Sequence, residues 1–207
     1  MDDLNDGKQN GFLPEEMRVA EKVKSLRLEK GLSLAEVAER TGFSSALISQ
    51  IENHLVSPPL GTLIKIARAL EVEIGEFFGE KTKMPYIAVR RGERKKVARV
   101  ASRQGVKYGY QYETLAFGLA RRHMEPFLVT LEPATIRDRG AYSHEGEEFL
   151  FVLEGEVEVH LGREVEVLVP GDSIYFHSTL PHRVQCRDEG GARIIAVLYP
   201  GQKAAQD

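Results

Sequence analysis

The chain has 207 residues, 42% hydrophobic and 29% charged, with 19 Gly, 9 Pro and no Trp, a balance that excludes disordered and collagen-like chains. No apolar run approaches the roughly 18 residues of a membrane span, and the polar, acidic start MDDLNDGKQNGF is unlike a secretory leader, so the sequence predicts a cytoplasmic protein with no membrane partner. One cysteine, Cys186, excludes an internal disulfide, and a net charge of −3 taken alone argues against nucleic acid.

That average conceals three blocks. Residues 1–80 hold 9 basic and 14 acidic side chains, residues 81–107 hold 10 and 1, and residues 108–207 hold 9 and 16. The change falls at GEKTKMP, residues 79–85, between a helical and a strand periodicity. The pattern predicts a flexible tail over 1–13, a helical domain over 14–79, a linker over 80–85, a β domain over 86–200 and a tail over 201–207.

In the first domain, Val19, Val23 and Leu26 recur at helical spacing within Pro14–Lys30, and Gly31 is placed to end that helix. Ser33 followed by Glu36 is a capping box, in which hydroxyl and carboxylate each satisfy a free backbone N–H, so a second helix starts there. Thr41-Gly42 makes a turn, and Ser44 caps a third helix through Leu47, Ile48 and Ile51. Beyond Ser57-Pro58-Pro59, Leu63, Ile66, Ala67 and Leu70 form a fourth helix, and Ile74–Phe78 a short fifth.

The run SLAEVAERTGFSSALISQIENHLVSPPLGTLIKIARALEV resembles the helix-turn-helix domain of phage-repressor-like (XRE-type) bacterial regulators over about residues 15–78. The resemblance implies that the third helix enters the major groove of a double-stranded operator. With Leu47, Ile48 and Ile51 turned to the core, Ser44, Ser45, Ala46, Ser49, Gln50 and Asn53 are its candidate DNA-contacting residues. Ser suits bases or phosphate, Ala a thymine methyl, and Gln a bidentate pair with adenine. The same resemblance implies a structural ion pair between Arg27 and Glu52. The departure is charge, because this recognition helix carries no Lys or Arg. A small helical bundle is also compatible with a protein-docking or nucleoid role.

From Pro85 onward, apolar runs of strand length alternate with turns: Tyr86–Val89, Phe127–Leu131, Glu148–Leu153, Glu156–Leu161, Val165–Val169, Ser173–Phe176 and Ile194–Leu198. Within FLFVL, both Phe149, Phe151 and Leu153 and the opposite-facing Leu150 and Val152 are apolar, so one face fills a barrel and the other needs a second sheet or a partner subunit.

GAYSHEGEEFLFVLEG followed by PGDSIYFHSTLPH resembles the paired signatures of the cupin, a jelly-roll-like barrel. Taken together, the fold class is α+β, an all-α helix-turn-helix domain followed by an all-β cupin barrel. The resemblance places His144, Glu148 and His182 at metal-ligand positions, puts Tyr142 where the family has its first His, and puts Cys186 where it has an Asn. Two imidazoles and a carboxylate suit Fe, Mn or Zn with open positions left over, and the alternative is a metal-free effector pocket. Tyr142 is the weakest donor, since phenols ionise near pH 10.

The basic stretch RRGERKKVARVASR reads as an edge strand blunted by Lys and Arg, with phosphate contact as the alternative. The expected function is a non-enzymatic, homodimeric, operator-binding transcription regulator, a repressor on family grounds, whose barrel binds a metal or small-molecule effector. The competing class is a mononuclear non-haem iron enzyme, resembling the phosphonate epoxidases that join a similar helical domain to a cupin.

Overall fold

The computed structural model describes residues 19–56, 58, 60–78, 84–98, 110–119, 122–133, 141–187 and 189–201. The tail expected over 1–13, most of the expected linker, most of the tail over 201–207 and the basic residues 99–107 lie outside them.

Among the described residues four α-helices come first: α1 Val19–Glu29, α2 Leu34–Thr41, α3 Ser45–Glu52 and α4 Leu60–Ala69. Local chemistry fixes their ends. Ser33 Oγ accepts from the Glu36 amide at 3.2 Å while the Ser33 amide donates to Glu36 Oε2 at 2.7 Å, closing the capping box ahead of α2. Gly42 ends α2 at φ 73°, a left-handed conformation that an L side chain resists. Ser44 Oγ accepts from the Leu47 amide at 3.1 Å and starts α3. The stretch Ile74–Phe78, expected as a fifth helix, winds as a 3₁₀ turn because only five residues separate the end of the preceding loop from the linker.

The faces of α1–α4 meet in a core of Val23, Val37, Ile48, Ile51, Leu63 and Ile66. Buried at its edge, Arg27 of α1 holds Glu52 of α3 in a fork, with Nε to Oε1 at 2.7 Å and Nη2 to Oε2 at 2.8 Å, while Nη1 donates to the Leu32 carbonyl. Removing one partner strands a buried charge. Glu52→Ala is therefore expected to cost about 3–5 kcal/mol, read as a large fall in the denaturant midpoint of the helical domain. A loss under about 1 kcal/mol would mean that Arg27 escapes to water.

Among the described residues the second half forms nine antiparallel strands: β1 Lys95–Ala98, β2 Tyr110–Thr114, β3 Glu125–Leu131, β4 Glu147–Glu154, β5 Val157–Leu161, β6 Glu164–Leu168, β7 Ser173–His177, β8 His182–Cys186 and β9 Ala192–Tyr199. One sheet has the order β1-β2-β3-β9-β4-β7 and the other β6-β5-β8. Their inner faces, Phe127, Val129, Leu150, Val152, Ile194 and Ala196 against Val157, Val159 and Val184, close on each other as a barrel core. Residues 86–89, expected as a strand, are irregular instead, since their apolar side chains find no ladder partner and the sheet begins at β1. The edge position of β1 agrees with the edge-strand reading of the basic stretch: Arg94 pairs with Glu113 at 3.6 Å, and Lys95 lies over the Phe117 ring.

The two halves share one apolar core. Phe78 stands edge-on to Phe127 of β3 with centroids 5.4 Å apart, and Tyr112 of β2 also meets Phe127 edge-on at 6.4 Å. Beside this joint, buried Glu125 of β3 accepts from Arg122 Nε at 2.9 Å. Burial raises the Glu125 carboxyl to about 7 despite that arginine, with nearby Glu73 adding to the effect. The folded state thus binds a proton that the unfolded chain releases near pH 4.5. Its contribution is complete below about pH 4.5 and lost as pH rises through about 7. Urea midpoints are expected to fall between pH 5 and 8 by the equivalent of roughly 2–3 kcal/mol, and Glu125→Gln is expected to flatten that slope. An unchanged slope in the variant would assign the dependence to another group.

Candidate functional site

The chain carries two candidate sites, one on α3 and one inside the barrel. On α3, Ile48 and Ile51 are buried and Leu47 is partly covered, leaving Ser44, Ser45, Ala46, Gln50 and Asn53 exposed and Ser49 half-buried. The exposed side chains of the first turn are small, so backbone can come close to a groove floor. Three candidates, Ser44, Ser49 and Asn53, are already engaged locally, Ser49 Oγ accepting from Asn53 Nδ2 at 3.3 Å. Ser44 Oγ accepts the cap bond, and Asn53 Nδ2 donates to the Ser49 carbonyl at 2.8 Å, tying it to the end of the helix. Ser45, Ala46 and Gln50 project without such ties.

The barrel site is assembled from β4, β8 and the segment before β4. Tyr142 and His182 exchange both backbone hydrogen bonds, Tyr142 N to His182 O at 3.0 Å and His182 N to Tyr142 O at 2.9 Å, which fixes the register of the three candidate ligands. His144, Glu148 and His182 are all buried, and one donor atom from each lies within 4.8 Å of the others. Glu148 Oε1 is 2.8 Å from His144 Nε2 and 3.3 Å from His182 Nε2.

The outer nitrogens decide what the inner ones can be. His144 Nδ1 lies 3.0 Å from the Glu145 carbonyl and His182 Nδ1 lies 2.7 Å from the Leu180 carbonyl. A carbonyl only accepts, so both Nδ1 atoms carry hydrogen and both Nε2 atoms point inward at Glu148, either as N–H donors or as lone pairs around a cation. His182 Nε2 is buried without a hydrogen bond. Burial would raise the Glu148 carboxyl, but its contacts with His144 and His182 outweigh that and lower it, so it is an anion. Two lone pairs converging on a carboxylate repel unless a positive charge lies among them. Protons or a divalent cation meet that need, and backbone carbonyls orienting the distal nitrogens are the usual support of metal-bound imidazoles. The donor set therefore fits a divalent cation.

Tyr142 is packed around this cluster rather than joined to it. Its ring stands edge-on to His182 at 4.5 Å and stacks with His144 at 6.4 Å, and Phe176 also packs against His182 at 5.0 Å. Burial, with the Glu148 charge adding to it, pushes the phenol well above its ordinary value and keeps it protonated. Cys186 is half-buried against the core, and the His177 side chain is exposed beside Glu147.

Sequence reasoning missed the residues that join the halves. Arg68 of α4 donates to the Glu145 carboxylate and to the Pro200 carbonyl. Gly61 of α4 lies against Tyr142 and His144, and Gly75 against Arg122. A glycine inside the apolar pattern of α4 was the available signal, because an isolated helical glycine usually marks a close approach.

Residues 23–77 match the helix-turn-helix family and residues 127–198 the cupin domain family. The chain is 29% identical to the HTH-type transcriptional regulator PuuR of Escherichia coli (strain K12) over 181 residues, covering 86% of this chain and 93% of that protein. It is 33% identical over 89 residues to the HTH-type transcriptional regulator SinR of Bacillus subtilis (strain 168), 42% of this chain and 80% of that one. The crystal structure of an HTH_3 family transcriptional regulator from Vibrio cholerae superposes with a TM-score of 0.61 at 28% identity, over 91% of this chain and 98% of the other. A helical DNA-reading unit joined to a cupin barrel defines a two-domain DNA-binding regulator. The chain belongs to the HTH-type transcriptional regulators and carries a cupin domain as its second half.

Proposed function

We propose that this regulator is a cytoplasmic homodimer that represses transcription from a double-stranded operator and is controlled by what its barrel binds. Ser45, Ala46, Ser49 and Gln50 meet base edges, and Ser44 and Asn53 flank them at the phosphates. His144, Glu148 and His182 hold one divalent cation, of Fe, Mn or Zn type, and Tyr142 covers it. The observation that carries this reading is the buried carboxylate between two imidazoles whose distal nitrogens are tied to backbone carbonyls. A bound cation supplies positive charge and open coordination positions for the oxygen or nitrogen atoms of an effector. The chain's own part is to hold Glu148 ionised, aim both Nε2 atoms and exclude bulk water.

Footprinting of the purified protein on its own upstream DNA, with and without chelator, tests the reading. Protection of a short two-fold site that changes on chelation is expected. Protection with no change, and no metal by elemental analysis, would leave the DNA role and remove the cation.

The dimer contact is assigned to the outer face of β4, where half-buried Phe149 and Phe151 and exposed Leu153 run beside the exposed Tyr175 of β7. The full chain is expected to sediment as a dimer at micromolar concentration, and Phe151→Glu as a monomer. A monomeric parent chain would remove this contact.

The two-imidazole, one-carboxylate set is also the ligand set of non-haem iron oxygenases, which keeps a second reading in view. Oxygen consumption that requires Fe(II) and an organic substrate would favour that enzyme, whereas chelation-sensitive operator binding without it favours the regulator.

A further inference from the structure

Gly61 is the second residue of α4, and it is buried. Glycine inside a helix costs about 1 kcal/mol relative to alanine, and Gly61 does not have the positive φ that would call for glycine. Space accounts for it. A Cβ at Gly61 would lie 2.7 Å from Cδ2 of His144 and 2.8 and 2.9 Å from Cδ2 and Cε2 of Tyr142. All three are ring carbons, one of buried His144 and two of half-buried Tyr142, with no flexible end to give way. The first turn of α4 thus rests directly on the ring edge of one candidate ligand and on the tyrosine covering the site.

Two further contacts hold the same face of the DNA-reading domain to the barrel. Arg68, seven residues after Gly61 and so on the same side of α4, reaches Glu145 and Pro200, and Phe78 inserts against Phe127. Glu145 is also the residue whose carbonyl orients His144. From α4 the path to α3 is short. Arg40 of α2 donates to the Ala69 carbonyl at the end of α4 at 2.9 Å, and Val37 and Ile48 share the core between α2 and α3.

We infer that Gly61 makes the ligand His144 part of the seat of the DNA-binding domain, so that filling the barrel site and docking α4 are one coupled equilibrium within a single chain. The inference rests on the cation reading given above. A cation held by Nε2 would fix the His144 ring in the orientation whose Cδ2 edge meets Gly61. Without one, the ring is held only by its contacts with the Glu145 carbonyl and Glu148, and the seat under α4 is less firmly fixed. Coupling of this kind is reciprocal: whatever loosens α4 weakens the cation, and whatever removes the cation loosens α4. It acts before any change in dimer geometry and gives the regulator a route from barrel to α3.

Zinc(II) titration of the full-length protein, followed by calorimetry and by amide hydrogen exchange over residues 60–69, tests this. In the parent chain zinc is expected to slow exchange across α4. Gly61→Ala improves the intrinsic helix propensity of α4 yet wedges it off His144, so zinc affinity is expected to fall about 10-fold and the zinc-dependent protection of 60–69 to vanish. Parent-like affinity with protection retained in Gly61→Ala would overturn the inference. If that variant fails to fold, Arg68→Ala removes the second docking contact without entering the ligand cluster, and it is expected to reduce the protection. An unchanged protection there would likewise overturn it. A parent chain that binds no zinc would sink the cation reading and this inference with it, whereas zinc binding that leaves α4 exchange unaltered would sink the inference alone.

Discussion

Ala46→Glu is expected to abolish operator binding while leaving the melting temperature almost unmoved. Ala46 is exposed in the first turn of α3, flanked by the cap Ser44 and by Ser45, and its methyl contributes nothing to the core of Ile48 and Ile51. A glutamate there places a carboxylate against base edges and between phosphates with no cation on α3 to offset it. The loss of operator affinity is expected to be at least about 100-fold, since like-charge contact in a desolvated groove costs several kcal/mol. The helix itself gains slightly from an acidic side chain in its first turn. Fluorescence anisotropy on a fixed operator, beside a thermal melt, separates the two quantities. Retained binding would remove α3 from the groove.

The helical half was legible because its signals are local. Ser33 with Glu36, Ser44 with Leu47, and Gly42 each fix a boundary within four residues of chain, and the structure has a bond or a left-handed φ at each. The strands were legible where apolar runs of strand length stood between turns, as at Phe127–Leu131 and Ile194–Leu198. Tyr86–Val89 has strand composition without a neighbour, and composition cannot supply a ladder. β2 was missed although Tyr112 and Thr114 alternate inward with Gln111 and Glu113 outward, because its two tyrosines and polar partners fall below the apolar content by which the other runs stand out. In the barrel, the resemblance of two signature stretches to the cupin pattern nominated His144, Glu148 and His182. The carbonyls of Glu145 and Leu180 that set their tautomers are backbone atoms, and no residue type announces them. Gly61 against His144 joins segments far apart in the chain, so the sequence offers the glycine and not its reason.

Tyr142→His, paired with His182→Ala, is expected to give the largest change at the barrel. The phenol of Tyr142 is held protonated by burial, so in the native chain it screens the cluster and donates no lone pair to a cation. An imidazole at that position exchanges a screening ring for a third nitrogen, the fourth donor of the set, two residues from His144 and hydrogen-bonded through its backbone to His182. Affinity for Mn(II), Fe(II) or Zn(II) is expected to rise by an order of magnitude or more, on the scale of about 10-fold to 100-fold that support around a metal site commonly controls. The smaller ring also recedes from Gly61, one of whose close approaches is to the tyrosine ring. His182→Ala removes the buried Nε2 that lacks a hydrogen bond, and metal binding is expected to disappear because two donors do not hold a divalent cation against water. Elemental analysis of the native protein and both variants reads the result. Metal absent from the native chain and not gained by Tyr142→His would make the barrel a pocket for an organic effector, with Glu148 paired to protonated imidazoles, and would remove the iron-enzyme reading along with the cation.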